Sequence, residues 1–185
     1  MTSPKSEVAR HRHRIAHGQK KGKVATGTAK LTYFIFEGEL VGSFGSEIVH
    51  FTAWSGGGGG SLKNSPNGSA NNPYMYGLKE VDGDKGHKHV HGGPIPPGAY
   101  QIKIPEQNNK LGLCAKLDPF HELPNDRGGM AIHGEGQHGS DGCIVLHAGK
   151  CKPACNDDLH KLMEKLRVST GGILLVLQAT EGVFA

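Results

Sequence analysis

The stretch AIHGEGQHGSDGCIVLH, residues 131–147, places a histidine and a cysteine at the facing ends of two apolar runs. The runs GMAIH and CIVLH predict two short strands. Between them the chain holds Gly, Ser, His, Asp, Glu and Gln, and almost nothing that packs. A ten-residue separation through glycines predicts that His133 and Cys143 end and begin neighbouring strands, joined by a tight loop, with both side chains at one edge of a sheet.

This pair has a chemical use. A thiol becomes a strong nucleophile as thiolate, and an imidazole within hydrogen-bond reach can take its proton. Ser140, Asp141 and Gly142 put unhindered N–H groups directly before the sulfur, where they can hold the negative oxygen of a tetrahedral intermediate. Gly142 also lets the backbone approach a substrate closely. From the residues alone, a purely structural cysteine and histidine remain the alternative.

The rest of the chain predicts a mostly-β sandwich or barrel with one late α-helix. LTYFIFEGELVGSF (31–44) is typical of a hairpin, and EIVHFTAW (47–54) of a third strand. AYQIKI follows a Pro97-Gly98 turn. Four apolar residues at i, i+3, i+4 and i+7 predict a helix capped by Asn156 and ended by Gly171-Gly172, before the strand ILLVLQ. The helical residues are Leu159, Leu162, Met163 and Leu166.

Charge divides the chain into a basic tail, residues 1–28, and a domain, residues 29–185. The first 30 residues hold eight of the 21 Lys and Arg but one of the 17 acidic residues. No aromatic residue is interleaved with these charges, which argues against a nucleic-acid partner. The tail has no apolar core of a secretory signal peptide. The longest apolar run, ILLVL (173–177), is too short for a transmembrane segment.

Two motifs also carry a family resemblance. IHG followed by S-x-G-C and an apolar strand resembles the active-site motif of the L,D-transpeptidase (YkuD-like) family. GPIPPGAYQI resembles the proline-glycine strand that precedes this motif in the family. The short His-to-Cys spacing, the TAWSG run and Arg127 are similar to the branch delivered by type VI secretion as antibacterial effectors. The likeness covers roughly residues 47–178 and implies an L,D-transpeptidase-like catalytic domain.

The resemblance implies a role for each residue of the motif. Cys143 is the nucleophile and His133 its base, with the carbonyl of Gly134 orienting the imidazole. The N–H groups of Gly142 and Cys143 form the oxyanion site. Ser140 matches a Ser/Thr position and fixes the loop.

One motif position departs from the family pattern, and five residues are candidates for substrate contact. Asp141 stands where the commoner form has histidine, and its carboxylate disfavours a nearby thiolate. Arg127 can bind a substrate carboxylate or form an ion pair with Asp118 or Asp126. Trp54 lines a cleft or belongs to the core. The full set of candidates is Arg127, His138, Asp141, Trp54 and Tyr74; His138 is also a rival base or an exposed loop residue.

The activity implied by the resemblance is acyl transfer on peptidoglycan stem peptides. The thiolate attacks the carbonyl on the L-centre of the third residue, and D-alanine leaves. Water then gives L,D-carboxypeptidase activity, a free D-amino acid gives exchange, and another stem gives a crosslink. The resemblance implies no metal or organic cofactor. For an effector it implies synthesis in the cytoplasm without a signal peptide, a secretion-system carrier, action in the target periplasm and a periplasmic immunity protein.

Two other functions fit parts of the sequence. One is a non-catalytic peptidoglycan-binding module that keeps the fold. The other is a metal-binding protein that uses HKHVH (87–91) or a set with the spacing H-x3-C-x3-C-x4-H. That set is His147, Cys151, Cys155 and His160. It matches no common zinc spacing, so a Cys151–Cys155 disulfide or free thiols are expected instead.

Overall fold

A computed structural model of the protein describes residues 28–57, 70–77, 92–134, 140–146 and 157–178. Within these segments the chain forms nine β-strands, one α-helix and a 3-10 turn at Pro124–Asp126. The strands are β1 (Ala29–Phe34), β2 (Glu39–Phe44), β3 (Glu47–Ser55), β4 (Gly98–Ile102), β5 (Glu106–Asn108), β6 (Gly112–Pro119), β7 (Ala131–Gly134), β8 (Ile144–Leu146) and β9 (Gly172–Leu177). Helix α1 (Asp157–Val168) precedes β9. Of the tail assigned to residues 1–28, only Thr28 lies in the described segments.

The strands form one sheet in the order β4-β9-β1-β2-β3-β8-β7-β6-β5. β4 also pairs with β6, which joins residues 100–102 to residues 117–119. This pairing closes eight of the described strands into a barrel and leaves β5 outside, on β6. Closure gives the backbone N–H and C=O groups at the free edges of β4 and β6 a hydrogen-bonding partner. The prediction of a mostly-β sandwich or barrel with one late helix is confirmed.

The hairpin predicted over residues 31–44 consists of β1 and β2, which pair antiparallel. Gly38 closes the turn at φ +66°, a conformation that L side chains rarely adopt. β3 pairs antiparallel with β2, as the third strand predicted from the sequence. The late apolar strand β9 returns to pair parallel with β1. It therefore joins the two ends of the folded domain.

Helix α1 supplies part of the core. Its four predicted apolar residues are at most 6% exposed and belong to the same hydrophobic cluster as the barrel strands. After the helix, Thr170 and Gly171 take positive φ, and the Gly171 N–H donates to the carbonyl of Leu166 at 2.7 Å. This is a common helix ending, and Gly172 then starts β9. Asn156, the predicted cap, lies outside the described residues. No helix in the described segments is long and apolar enough to cross a membrane.

Strand β6 is absent from the sequence prediction. Its residues GLCAKLDP have no β-branched side chain, and its three-residue partner β5 has too short a pattern to predict a strand. β6 pairs with β5, β7 and β4. It therefore closes the barrel, and it places Cys114 directly opposite His133.

Candidate active site

One row of side chains crosses four neighbouring strands and contains His133. The register pairs Trp54 with Val145, Val145 with His133, and His133 with Cys114. Residues directly opposite one another in a sheet point to the same face. All four are at most 3% exposed, yet none belongs to the main hydrophobic cluster, which includes the alternate residue Ile132. His133 therefore lies on the sheet face opposite the main core.

Cys143 lies beside this row. It immediately precedes β8, two residues before Val145, so an extended chain puts its side chain on the face that carries His133. One strand across and two residues along corresponds to about 8 Å between the Cα atoms of His133 and Cys143. β7 and β8 are neighbours, as predicted, but they run parallel. Parallel neighbours cannot be joined by a tight hairpin, so the prediction of a tight loop is wrong.

The imidazole of His133 is buried and oriented by the backbone. It is 2% exposed, and its Nδ1 lies 2.6 Å from the carbonyl oxygen of Gly134. A carbonyl only accepts, so Nδ1 carries the proton and Nε2 holds a free lone pair. Nε2 is buried and has no hydrogen-bond partner among the described residues. The expected contact between Nε2 and the Cys143 thiol is therefore not formed in this structure.

Burial keeps both groups neutral. It lowers the pKa of His133 below the usual 6.5, although the hydrogen bond to Gly134 acts in the opposite direction and raises this pKa. It raises the pKa of the Cys143 thiol to about 11. A backbone hydrogen bond from Ala131 and the charge of Arg127 lower that pKa, whereas Cys114 and Asp141 raise it further. The free protein therefore holds a thiol and a neutral imidazole, in place of the thiolate that the sequence analysis expected.

The turn before Cys143 is organised by the hydroxyl of Ser140, which is 3% exposed. Its Oγ donates to the Cys143 carbonyl at 2.6 Å and accepts from the Gly142 N–H at 3.3 Å. The Gly56 N–H approaches the same oxygen at 3.4 Å. Ser140 thus lies where a loop-fixing residue is expected. One of the two proposed oxyanion donors, the Gly142 N–H, is turned inward to Ser140.

Two residues that the sequence analysis did not single out fasten this turn to the barrel. Ser55 is fully buried, and its Oγ donates to the Gly142 carbonyl at 3.2 Å and accepts from the Ile95 N–H at 2.8 Å. The side-chain oxygen of Asn71 accepts from the Ser55 N–H at 2.8 Å and from the Tyr33 hydroxyl at 2.7 Å. Only the position of Ser55 at the end of TAWS could have drawn attention to it. Asn71 lies in a Gly/Asn/Ser-rich stretch without any distinguishing pattern.

Arg127 does not form either ion pair considered from the sequence. Asp118 pairs instead with Lys103, at 2.7 Å. The guanidinium of Arg127 is buried, 8% exposed, and donates to main-chain carbonyls. This is the environment of a residue that organises loops, because both Nη atoms already donate to main-chain carbonyls and a substrate carboxylate would have to displace one of them.

The other candidates for substrate contact have different surroundings. Asp141 is half-buried, and its Oδ1 accepts from the Gly92 N–H at 2.7 Å. Trp54 is 3% exposed, which agrees with its interpretation as a packed residue and not as a cleft wall. Tyr74 is 89% exposed on the segment 70–77, and its substrate role stays a prediction. His138 lies outside the described residues.

Both suggested metal sets fall largely outside the described residues. Residues 87–91 are not described, and of the second set only His160 is. Among the residues described, no group of three or more His, Cys, Asp or Glu is placed to hold a metal ion.

Comparisons with known proteins were made with both sequence and fold. No protein-family model and no curated protein matches the chain. Solved structures of L,D-transpeptidases do. One from Xylanimonas cellulosilytica is 13% identical, covers 95% of this chain and 70% of its own, and has a TM-score of 0.47. L,D-transpeptidase 1 of Mycobacterium tuberculosis is 15% identical, with 80% and 61% covered and a TM-score of 0.40.

A third similar structure is the helical cell shape determining protein Pgp2 of Campylobacter jejuni, as a K307A mutant. It is 13% identical, covers 96% of this chain and 57% of its own, and has a TM-score of 0.47. This chain therefore spans between 57% and 70% of the three solved chains. At such identities and TM-scores, the likeness carries no argument about catalysis.

Proposed function

We propose that Cys143 and His133 catalyse acyl transfer on peptidoglycan stem peptides, as an L,D-carboxypeptidase or L,D-transpeptidase. The observation that carries the proposal is the state of the imidazole. His133 is buried, its Nδ1 is fixed by the Gly134 carbonyl, and its Nε2 is a vacant acceptor on the face that carries the thiol. A general base needs this tautomer and orientation.

A vacant buried nitrogen is costly to the fold. Leaving a buried acceptor without a partner costs about 1–3 kcal/mol, and most buried polar groups avoid it. A residue that only packed in this row would be better replaced by an apolar side chain. The cost is explained if Nε2 must receive a proton during turnover. Rotation of the Cys143 side chain toward the imidazole would then supply that proton.

The neutral pair sets the order of events. With a raised pKa for the thiol and a lowered pKa for the imidazole, an ion pair is disfavoured before substrate binds. The S–H proton moves to His133 Nε2 as the sulfur attacks the carbonyl carbon. The imidazolium then returns this proton to the leaving amine, and the C–N bond breaks to give a thioester. Water or an amine, deprotonated by His133, releases the acyl group and restores the thiol.

The substrate class is inferred from the motif. IHG at 132–134, S-x-G-C at 140–143 and GPIPPGAYQI at 93–102 resemble the L,D-transpeptidase family, whose donors are tetrapeptide stems. The geometry is compatible with this role, because Ser140 and Ser55 hold the turn before the sulfur by its main chain. The choice among hydrolysis, exchange and crosslinking depends on which acceptor reaches the thioester.

The proposal is tested by incubating the protein with purified tetrapeptide muropeptides, with and without a free D-amino acid. Mass spectrometry should show loss of the terminal D-alanine or its replacement. A carbapenem should block the reaction and add its mass to the tryptic peptide 128–150, in which Cys143 is the only cysteine. Unchanged stems together with an unmodified peptide would contradict the proposal. Binding of muropeptides without turnover would favour the non-catalytic module instead.

We also propose that the activity serves an antibacterial effector, on the strength of the short motif spacing, TAWSG and the family branch they resemble. The protein directed to the periplasm of a Gram-negative host should then stop growth and round or lyse cells. The same protein kept in the cytoplasm should not, because its substrate is absent there. Normal growth with active protein in the periplasm would refute the effector role but leave the enzymatic activity in place.

A further inference from the structure

The guanidinium of Arg127 joins three separate segments of the chain. Nη1 donates to the carbonyls of Tyr76 and Pro94, the latter at 2.7 Å. Nη2 donates to the carbonyls of Gly93 at 2.7 Å and Asp141 at 3.0 Å. The four N–H groups on the two Nη atoms therefore meet four main-chain oxygens. Such an array needs the planar, multiply donating head of arginine.

One of those segments is the turn that ends in the nucleophile. The Asp141 carbonyl that accepts from Nη2 belongs to the peptide unit shared with Gly142, which directly precedes Cys143. Gly142 has φ +124°, and a Cβ added there would lie 2.4 Å from Nη2. The guanidinium thus lies against the Gly142 Cα, and no larger residue fits between them. Arg127 holds the carbonyl of this peptide and Ser140 its N–H, and Ser55 holds the next peptide through the Gly142 carbonyl.

We propose that Arg127 is a positioning residue for the nucleophile, which holds the Asp141–Gly142 peptide so that the Cys143 thiol that follows it faces the substrate. The inference rests on the proposed function, since it assigns Arg127 a part in that reaction. It replaces the substrate contact expected for Arg127 from the sequence.

The charge of Arg127 gives it a second effect on the same thiol. The charged and titratable groups that shift the pKa of Cys143 are Arg127, Asp141 and Cys114, and His133 faces it from the neighbouring strand. Asp141 and Cys114 raise the pKa of Cys143, whereas Arg127 lowers it. Arg127 therefore partly offsets the carboxylate that stands two residues before the sulfur, at the position where the motif departs from the family pattern.

Two substitutions separate position from charge. Arg127→Met removes both, so the pH midpoint of iodoacetamide labelling at Cys143 should rise, and labelling at pH 8 should fall with it. kcat should fall with it. Arg127→Lys keeps the charge but has three donors for four carbonyls. Its labelling midpoint should stay at the wild-type value, while kcat falls about tenfold at unchanged KM.

Labelling is read on the peptide 128–150, or 117–150 for Arg127→Met, and each contains Cys143 alone. Leu159→Ala, in the core face of α1, is the matched control for lost stability. It should lower the unfolding temperature without changing the midpoint or kcat; a change in either would overturn the inference. An Arg127→Met variant with the labelling midpoint and the kcat of the wild type would also overturn the inference. If that variant does not fold, wild-type kcat in Arg127→Lys is sufficient to overturn it.

The labelling experiment needs no substrate, so its result is independent of the proposed function. If the wild type leaves every muropeptide unchanged, the proposed function fails, whatever the midpoints are. If the wild type is active and both Arg127 variants match it in kcat and midpoint, the positioning role alone fails.

Discussion

Replacement of Cys143 by alanine should reduce turnover of muropeptide stems by at least about 10³-fold, to the rate of the uncatalysed reaction in the assay. The reason is that the thioester cannot form without the sulfur. The fold should persist, because Ser140 and Ser55 hold the turn through main-chain atoms that the substitution leaves in place. Release of D-alanine, followed by mass spectrometry at saturating substrate, measures the effect.

Cys114→Ala is the matched control for this substitution. Cys114 is a second free thiol on the same sheet face, directly opposite His133, and it is fully buried. Burial also raises its pKa, so both thiols are weakly ionised at neutral pH. The control should retain turnover within about twofold, since a buried sulfur cannot reach a stem peptide. Equal losses in the two variants would show that the thiols contribute to packing and that Cys143 is no nucleophile.

Much of the fold follows from local patterns. The hairpin of β1 and β2, the strand β3 and the amphipathic helix α1 each have an apolar period that a short window reveals. The pairing of the His133 and Cys143 strands was likewise predicted. Their parallel direction was not, because it depends on where the connecting residues travel and not on the strands themselves. Strand β6 was not predicted, because its residues can be recognised as a strand only from their pairing with β7 and β4.

The site shows a similar division. Residue types identify His133, Cys143 and Ser140, because few arrangements of a thiol, an imidazole and glycines have a chemical use. The partners of Arg127 are four main-chain carbonyls, and no side-chain pattern can report them. The sequence is therefore equally compatible with Arg127 binding a substrate carboxylate and with Arg127 forming an ion pair. Ser55 was overlooked for the same reason, since its bonds go to the backbone of Gly142 and Ile95.

These contacts change the interpretation of Asp141. From the sequence, its carboxylate is expected to disfavour a nearby thiolate, because the two negative charges repel each other. In the structure, its Oδ1 accepts from the Gly92 N–H, and its own carbonyl accepts from Arg127. The carboxylate is thus part of the framework that brings the segment 92–97 to the turn, and Arg127 offsets its charge at the sulfur. The carboxylate at this position therefore disfavours the thiolate in the free protein, which agrees with the proposed mechanism, in which the proton leaves only during attack.

The second large effect is expected for His133→Gln. Glutamine retains a carbonyl and an amide near the same place but cannot take a proton at neutral pH, so kcat should fall about 10²–10⁴-fold. His50→Gln, on the exposed side of β3 with 52% of its side chain accessible, is the matched control and should keep wild-type kcat. A His133→Gln variant that retains more than about a tenth of kcat would exclude the imidazole as base.

The pH profiles of the wild type and of His133→Gln give an independent check on the identity of the base. Burial lowers the pKa of His133 below 6.5, so the neutral base persists in the wild type as the pH falls past that value. The acid limb of kcat/KM should therefore have its midpoint below 6.5, and activity should rise with pH through it. His133→Gln should lose this limb, because its residual rate no longer depends on an imidazole. An acid limb that is unchanged in His133→Gln would assign the titrating base to another residue.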